Sequence, residues 1–474
     1  MPSERDSDGH KPVIVDAERR PSDAGKPKSD PKQSTTGVSG AKSLIAAAER
    51  RRFLFGGRVI DPATRKVRAC NILIENGRIT RVGRDVKSEG AKLVDCRRKY
   101  IAPGFIDLHC HLREPGNEDA ETIASGTRAA LAGGFLRVCP MPNTEPPVDT
   151  EALVRFELHR AEEAGFARVL PVGCCTRGRQ GKELAEIAGM KTAGVVAVSD
   201  DGSWISDAQV MRRVLEYAKA FDIPVISHCE LAEMPGVANE GLISTRLGLA
   251  GSPVVAEAAA ASRDILLAEY VGARIHIAHV SAAATVDVVR RAKERGVEVT
   301  AETCPHYFTL TEEALVGFDT NFKVNPPLRT EQDRQAVISG LADGTIDAIA
   351  TDHAPHTRQD KDLEFDLAPP GIIGLETAFS LGYEQLVLSG QIELVDYIRL
   401  LTTGPARVLG LPQPSIEPGA PADLVILDLE ARWTYTPDLG MSRSHNSPFF
   451  GCELKGRVLS GVLGEEQFWL LHPA

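Results

Sequence analysis

Across residues 103–410, apolar runs short enough for strands alternate with longer stretches rich in Ala, Leu and Glu, and nothing else in the chain constrains its fold as tightly. Parallel strands must be joined by crossovers, so repeated βα units build a parallel sheet covered by helices. The strand-like runs are 105–111, 136–142, 169–173, 195–199, 224–228, 274–279, 298–303 and 346–351. Intervening segments such as 207–221 and 257–270 have helical length and composition. Eight such units predict an α/β fold with a TIM-type (β/α)8 barrel, whose chemistry sits at the C-terminal ends of the strands.

The flanks read differently. Residues 53–100 show short strands and turns, with Asn76-Gly77 placed as a hairpin turn because both residues tolerate positive φ. Strand-like sequence returns at 422–427 and 453–463. The two segments, 51–102 and 411–474, are expected to pair as one small discontinuous β-sandwich beside the 103–410 barrel. Residues 1–50, rich in Ser, Asp, Lys, Arg, Pro and Gly, bury too little apolar area to offset chain entropy and are expected to be a disordered tail. The stretch 43–55 reads as a linker, with a short helix or docking element as the alternative.

A formal net charge of −11 and a pI near 5.6 offer no broad attraction to nucleic acid or anionic membranes. Any anionic substrate must be held by local cations and a metal. Nine cysteines with no Cys-x-x-Cys ladder do not resemble a secreted disulfide framework. With no signal-like or membrane-spanning run, the expectation is a cytoplasmic protein.

Polar residues collect at the strand ends. Side chains two apart on a strand share a face, so His109 and His111 can grip one ion while Cys110 turns to the core. Cys229 and Cys304 also read as packing. His228 closes its strand, Asp201 follows another, and Asp352 ends the last. By the same period of two, His279 is the ligand candidate and His276 points the other way, packed under the helices. Imidazole and carboxylate suit zinc and similar ions, and a catalytic site leaves a position open beside its protein ligands. A carboxylate at Asp352 is suited to general acid/base work.

The chain resembles the amidohydrolase superfamily, and within it the dihydroorotases of the long, type I kind. The resemblance is carried by Pro103-Gly104-Phe105-Ile106-Asp107-Leu108-His109-Cys110-His111-Leu112-Arg113-Glu114-Pro115-Gly116, Met141-Pro142-Asn143-Thr144, Asp200-Asp201-Gly202 and Ser227-His228-Cys229-Glu230. It continues in His279-Val280-Ser281, Asn325-Pro326-Pro327-Leu328-Arg329, Ala350-Thr351-Asp352-His353-Ala354-Pro355-His356 and Gly371-Ile372-Ile373-Gly374-Leu375-Glu376-Thr377. It implies zinc, one or two ions per chain. His109 and His111 would bind the first, Asp201 would bridge, His228 and His279 would serve a second, and Asp352 would be both ligand and catalytic acid/base. Many superfamily members carry a carboxylated lysine where Asp201 stands. Asp200 is the competing bridge, although the family spacing to His228 favours Asp201.

The implied reaction is reversible cyclisation of N-carbamoyl-L-aspartate to L-dihydroorotate, in pyrimidine synthesis. Both molecules keep a carboxylate that does not react, and a planar guanidinium can hold it by paired charge-assisted hydrogen bonds. Arg113, two residues beyond His111, is placed for that. The family pattern adds His111, Leu112, Asn143, Asn325, His356, Pro370 and Gly371 to the substrate contacts, while turn formation is the rival reading for Asn143 and Asn325. His353 reads as structural. A homodimer and association with aspartate carbamoyltransferase are the expected assemblies. The alternatives are a hydantoinase- or allantoinase-like enzyme, against which Arg113 speaks, and a silent scaffold, against which the full set of ligands speaks.

Overall fold

The computed structural model describes residues 51–464 and the backbone of 467–470; the expected tail lies outside the described residues. Strand Arg51–Asp61 begins within the 43–55 stretch, so the described part of that stretch is neither linker nor helix. The strand is held by antiparallel pairing with Lys66–Glu75, which turns through Asn76-Gly77 into Arg78–Gly83. Both turn residues have positive φ, as the hairpin requires.

The N-terminal and C-terminal strand segments of the described residues meet in one eight-stranded sheet. Tyr100–Pro103 pairs parallel with Arg51–Asp61 on one side and antiparallel with Leu424–Thr434 on the other, and Glu453–Leu463 continues the sheet. Its core of Leu54, Val59, Ile72, Ile74, Ile101, Leu424 and Ile426 is separate from that of the barrel.

The central region is a parallel barrel. Its strands are Phe105–Cys110, Phe135–Pro140, Arg168–Val169 with Val172–Gly173, Ala197–Ser199, Val225–Ser227, Ile275–Ile277, Val299–Thr303 and Ala348–Ile349. The third is split because Pro171 has no N–H to give to a ladder; its carbonyl still accepts from Val196. Closure comes from the Asp352 amide donating to the His109 carbonyl at 2.9 Å and the His111 amide to the His353 carbonyl at 2.8 Å. The first and last strands therefore meet where the candidate ligands stand.

Helices cover the barrel through apolar stripes. Ala208–Ala220 starts at Asp207, whose side chain accepts from Gln209 N and Val210 N, and buries Met211, Val214, Leu215 and Ala218. Val254–Val271 overruns the predicted 257–270 at both ends. Among the described residues no helix is long and apolar enough to cross a membrane.

Candidate metal and substrate site

Strand ends bring every predicted metal-facing side chain into one buried cluster. His111 Nε2 lies 3.2 Å from Asp352 Oδ1, and His109 Nε2 lies 3.2 Å from Asp201 Oδ1 and 3.7 Å from Asp352 Oδ1. His228 Nδ1 is 2.7 Å from His279 Nε2, and these nitrogens are 3.6 and 3.8 Å from Asp201 Oδ1. Asp201 thus stands between the two pairs of histidines. Asp200 does not compete, because its carboxylate accepts from Cys175 N, Thr176 N and Thr176 Oγ1.

A cation fits this cluster. His109 Nε2, Asp201 Oδ1 and His279 Nδ1 are buried with no hydrogen-bond partner, although buried polar atoms are almost always paired. Donor atoms of His109, His111 and Asp352 lie within 4.8 Å of one another, as do those of His109, Asp201 and His279. Burial would raise the Asp201 carboxyl, but the facing imidazoles of His109 and His228 outweigh it and hold it well below the usual range. Burial and the charges of His228 and His109 push His279 down to about 3, leaving a neutral imidazole able to ligate.

Backbone conformation aims two of these groups. His279 and Asp352 have φ of +34° and +46°, so the chain leaves strand geometry at these two candidate ligands. This corrects the expected position of His276. The strand stops at Ile277, so a period of two cannot be carried on to His279. His276 is turned into the barrel interior, with Nε2 3.2 Å from Glu302 Oε2 and Nδ1 2.8 Å from Thr300 Oγ1, rather than packing under the helices.

Glu302 was not singled out by the sequence reading. It is fully buried, and its Oε1 lies 3.0 Å from His109 Nδ1, so it joins His276 to His109. A carboxylate on the far nitrogen of a ligating histidine sets its tautomer and ring orientation. Burial would raise Glu302, but hydrogen bonds to His109 and His276 hold it at about 2. Asp107 acts similarly on the backbone, accepting from Thr351 N, Thr351 Oγ1 and His109 N and so tying the last strand to the first.

Substrate candidates line the mouth above. Arg113, itself at φ +61°, donates from Nε to the Pro355 carbonyl at 3.0 Å and brings Nη2 within 3.3 Å of His356 Nε2. His356 Nε2 lies 2.9 Å from the Pro370 carbonyl. Burial and the Arg113 and Lys361 charges push this imidazole down to about 3, so it donates as a neutral ring. Asn143 reaches His111 Nδ1 at 2.9 Å and Asp201 Oδ2 at 3.3 Å. Asn325 donates to Glu230 Oε2 at 2.9 Å, beside His228. The Leu112 side chain packs in the core.

Buried groups, two of them distant in sequence, hold this wall. Asn446 Nδ2 donates to the carbonyls of Ala354 and Gly371, and its Oδ1 accepts from His356 N at 3.1 Å. Lys323 Nζ donates to the carbonyls of Phe365, Asp366 and Ala368, and Lys361 Nζ to those of Pro369 and Gly371. Gly371 has φ +140°, and a Cβ there would lie 2.8 Å from Ala354 Cβ and 2.9 Å from His356 Nε2. His353, read as structural, lies 3.3 Å from Glu121 and accepts from Gly374 N.

Comparison with known proteins agrees. Residues 100–465 match the amidohydrolase family. Dihydroorotase from Syntrophotalea carbinolica is 51% identical over 409 residues, which cover 86% of this chain and 96% of that one. Dihydroorotase from Pelotomaculum thermopropionicum is 50% identical over 411 residues, with the same coverage. The L-hydantoinase of Arthrobacter aurescens, at 22% identity and a TM-score of 0.78 over 88% of this chain and 95% of that one, shares the fold. The chain belongs to the amidohydrolase family, in its dihydroorotase branch.

Proposed function

We infer that the protein interconverts N-carbamoyl-L-aspartate and L-dihydroorotate with a divalent metal, zinc by family resemblance, at one or two ions per chain. The observation that carries the reading is the pairing of a buried histidine–aspartate cluster with the Arg113 guanidinium at the same barrel mouth. The cluster supports metal-assisted amide chemistry, and the arginine supports a substrate with a free carboxylate.

A divalent ion held by His109, His111, Asp201, His228, His279 and Asp352 would polarise the ring carbonyl and lower the pKa of water toward neutrality. The protein's own part is positioning and proton transfer. Arg113, His356 and Asn143 grip the unreactive carboxylate, and Asn325, Leu112, Pro370 and Gly371 supply polar edges for the ring. In the hydrolytic direction Asp352 accepts the proton of the attacking water and returns it to the leaving ring nitrogen. In the cyclising direction it takes the proton from the ureido nitrogen and passes it to the departing oxygen, which leaves as water with the one further proton drawn from solution. His111 lies 3.2 Å from the Asp352 carboxylate and helps hold it ionised against the pull of burial.

The open dianion becomes a ring monoanion, so closure consumes one proton and is favoured as pH falls. Direct assay of both directions tests the assignment. Turnover of dihydroorotate with an equilibrium that moves toward the ring at lower pH is expected; turnover confined to hydantoin or allantoin would overturn it. A cytoplasmic location, a homodimer and association with aspartate carbamoyltransferase go with the same resemblance, and sizing of the protein with and without that partner tests the assemblies.

A further inference from the structure

The barrel strand Val299–Thr303 runs through Cys304 into the short helix Pro305–Thr309, which carries His306. None of the assigned ligands comes from this corner. Here one donor atom each from Cys304, His306 and Asp352 lies within 4.8 Å of the others. Cys304 is 0% and His306 1% exposed. The His306 Nε2 atom is buried without a hydrogen-bond partner. Packing against Tyr307, Val324, Leu328 and Ile372 accounts for a cysteine here. It does not account for a buried, unpartnered imidazole nitrogen beside a carboxylate.

We propose that Cys304, His306 and Asp352 form a second, inhibitory site, sharing Asp352 with the neighbouring cluster, for a thiophilic divalent cation, such as cadmium or zinc in excess. A thiolate, an imidazole and a carboxylate suit soft and borderline ions, whereas the neighbouring cluster holds only nitrogen and oxygen donors. Metal–sulfur and metal–nitrogen bonds near 2.3 and 2.0 Å separate tetrahedral donors by about 3.5 Å, so closing from 4.8 Å takes about 1 Å of side-chain movement. Binding replaces the thiol proton by the metal, with one proton released to solvent and no change of oxidation state. It also engages a carboxylate oxygen of Asp352 and so withdraws that group from proton transfer. This last consequence rests on the role proposed for Asp352; the binding itself does not.

Titration of the metal-loaded enzyme with Cd2+ tests both parts, with three readouts: thiolate-to-cadmium charge-transfer absorbance, proton release and dihydroorotate hydrolysis. Cadmium exchanging into the histidine–aspartate cluster gives no thiolate band, so the band isolates the new site. The expected result is one band per chain rising as turnover falls. Cys304→Ser should abolish the band and shift inhibition to at least about tenfold higher cadmium, with uninhibited turnover near that of the parent. His306→Asn should weaken both effects, and it serves if Cys304→Ser does not fold. Cys452, the exposed cysteine among the described residues, is the control. A band that persists in Cys304→Ser, or disappears in Cys452→Ser, would overturn the site. An intact band with undiminished turnover would overturn the inhibitory role while leaving the binding site standing.

Discussion

The metal-facing and substrate-facing groups share one barrel mouth but are positioned by different means. His109, His111, His228 and Asp352 hang on or just beyond strand ends, and their supports, Glu302 and Asp107, are strand residues one layer deeper. Arg113, His356 and Gly371 lie on loops, and their supports come from Lys361 on the same loop and from Lys323 and Asn446, remote in sequence. The first arrangement fixes donor atoms through a sheet. The second fixes a binding surface by capping backbone carbonyls with buried cations and an amide. Damage to the first should therefore appear in metal retention and kcat, and damage to the second in KM with metal content unchanged.

The sharpest break is expected from Asp352→Asn, which keeps the shape and removes the base. A kcat loss of about 10³-fold is predicted, within the usual range for a general acid/base group, with the melting temperature little altered. Arg113→Met should cost about 2–4 kcal/mol in substrate binding, as loss of a desolvated charge partner does. Steady-state kinetics should place that loss in KM, and metal analysis should show full loading.

Glu302→Gln separates the two regions from the other side. Loss of the carboxylate behind His109 should lower metal affinity about 10- to 100-fold, read by chelator competition, with KM unchanged once metal is saturating. Asn446→Ala removes partners from two buried carbonyls and one amide, at about 1–3 kcal/mol. Its effect should fall on KM and leave chelator competition as in the parent.

The smallest effect concerns pH. Burial, and then the Lys323 charge, lower Lys361 to about 8 against the opposing pull of Asp319 and Asp360. Above that pH the side chain turns neutral and its bonds to Pro369 and Gly371 weaken, so KM should climb a few-fold while kcat holds. Lys361→Arg, which stays charged, should flatten the climb. For stability the sign is opposite. The folded state binds fewer protons than the unfolded state between about 8 and 10.5, so this group's contribution to stability rises with pH through that window.

The same contrast explains what could be read from the sequence. The barrel and its candidate ligands were legible because strand periodicity and strand ends are local patterns, and His109, His111, Asp201, His228, His279 and Asp352 do converge. His276 was misplaced because the positive φ at His279 breaks the period on which its exclusion rested. Glu302 carried a weak signal, a lone carboxylate within an apolar strand. Lys323, Lys361 and Asn446 carried none, since each looks like an ordinary surface residue until the fold places it against backbone carbonyls, tens of residues away for Lys323 and Asn446 and eight to ten for Lys361. Local pattern thus marks the floor of the site, whereas its wall exists only in the tertiary structure.

The central claim is that one buried histidine–aspartate cluster makes a divalent metal essential for dihydroorotate turnover. Metal content and dihydroorotate hydrolysis measured on the same preparation, before chelation, after it and after zinc is restored, test this most directly. Activity should fall in proportion to the metal removed and return with zinc, while Asp201→Ala should be impaired throughout. Full activity in the metal-free protein would contradict the account.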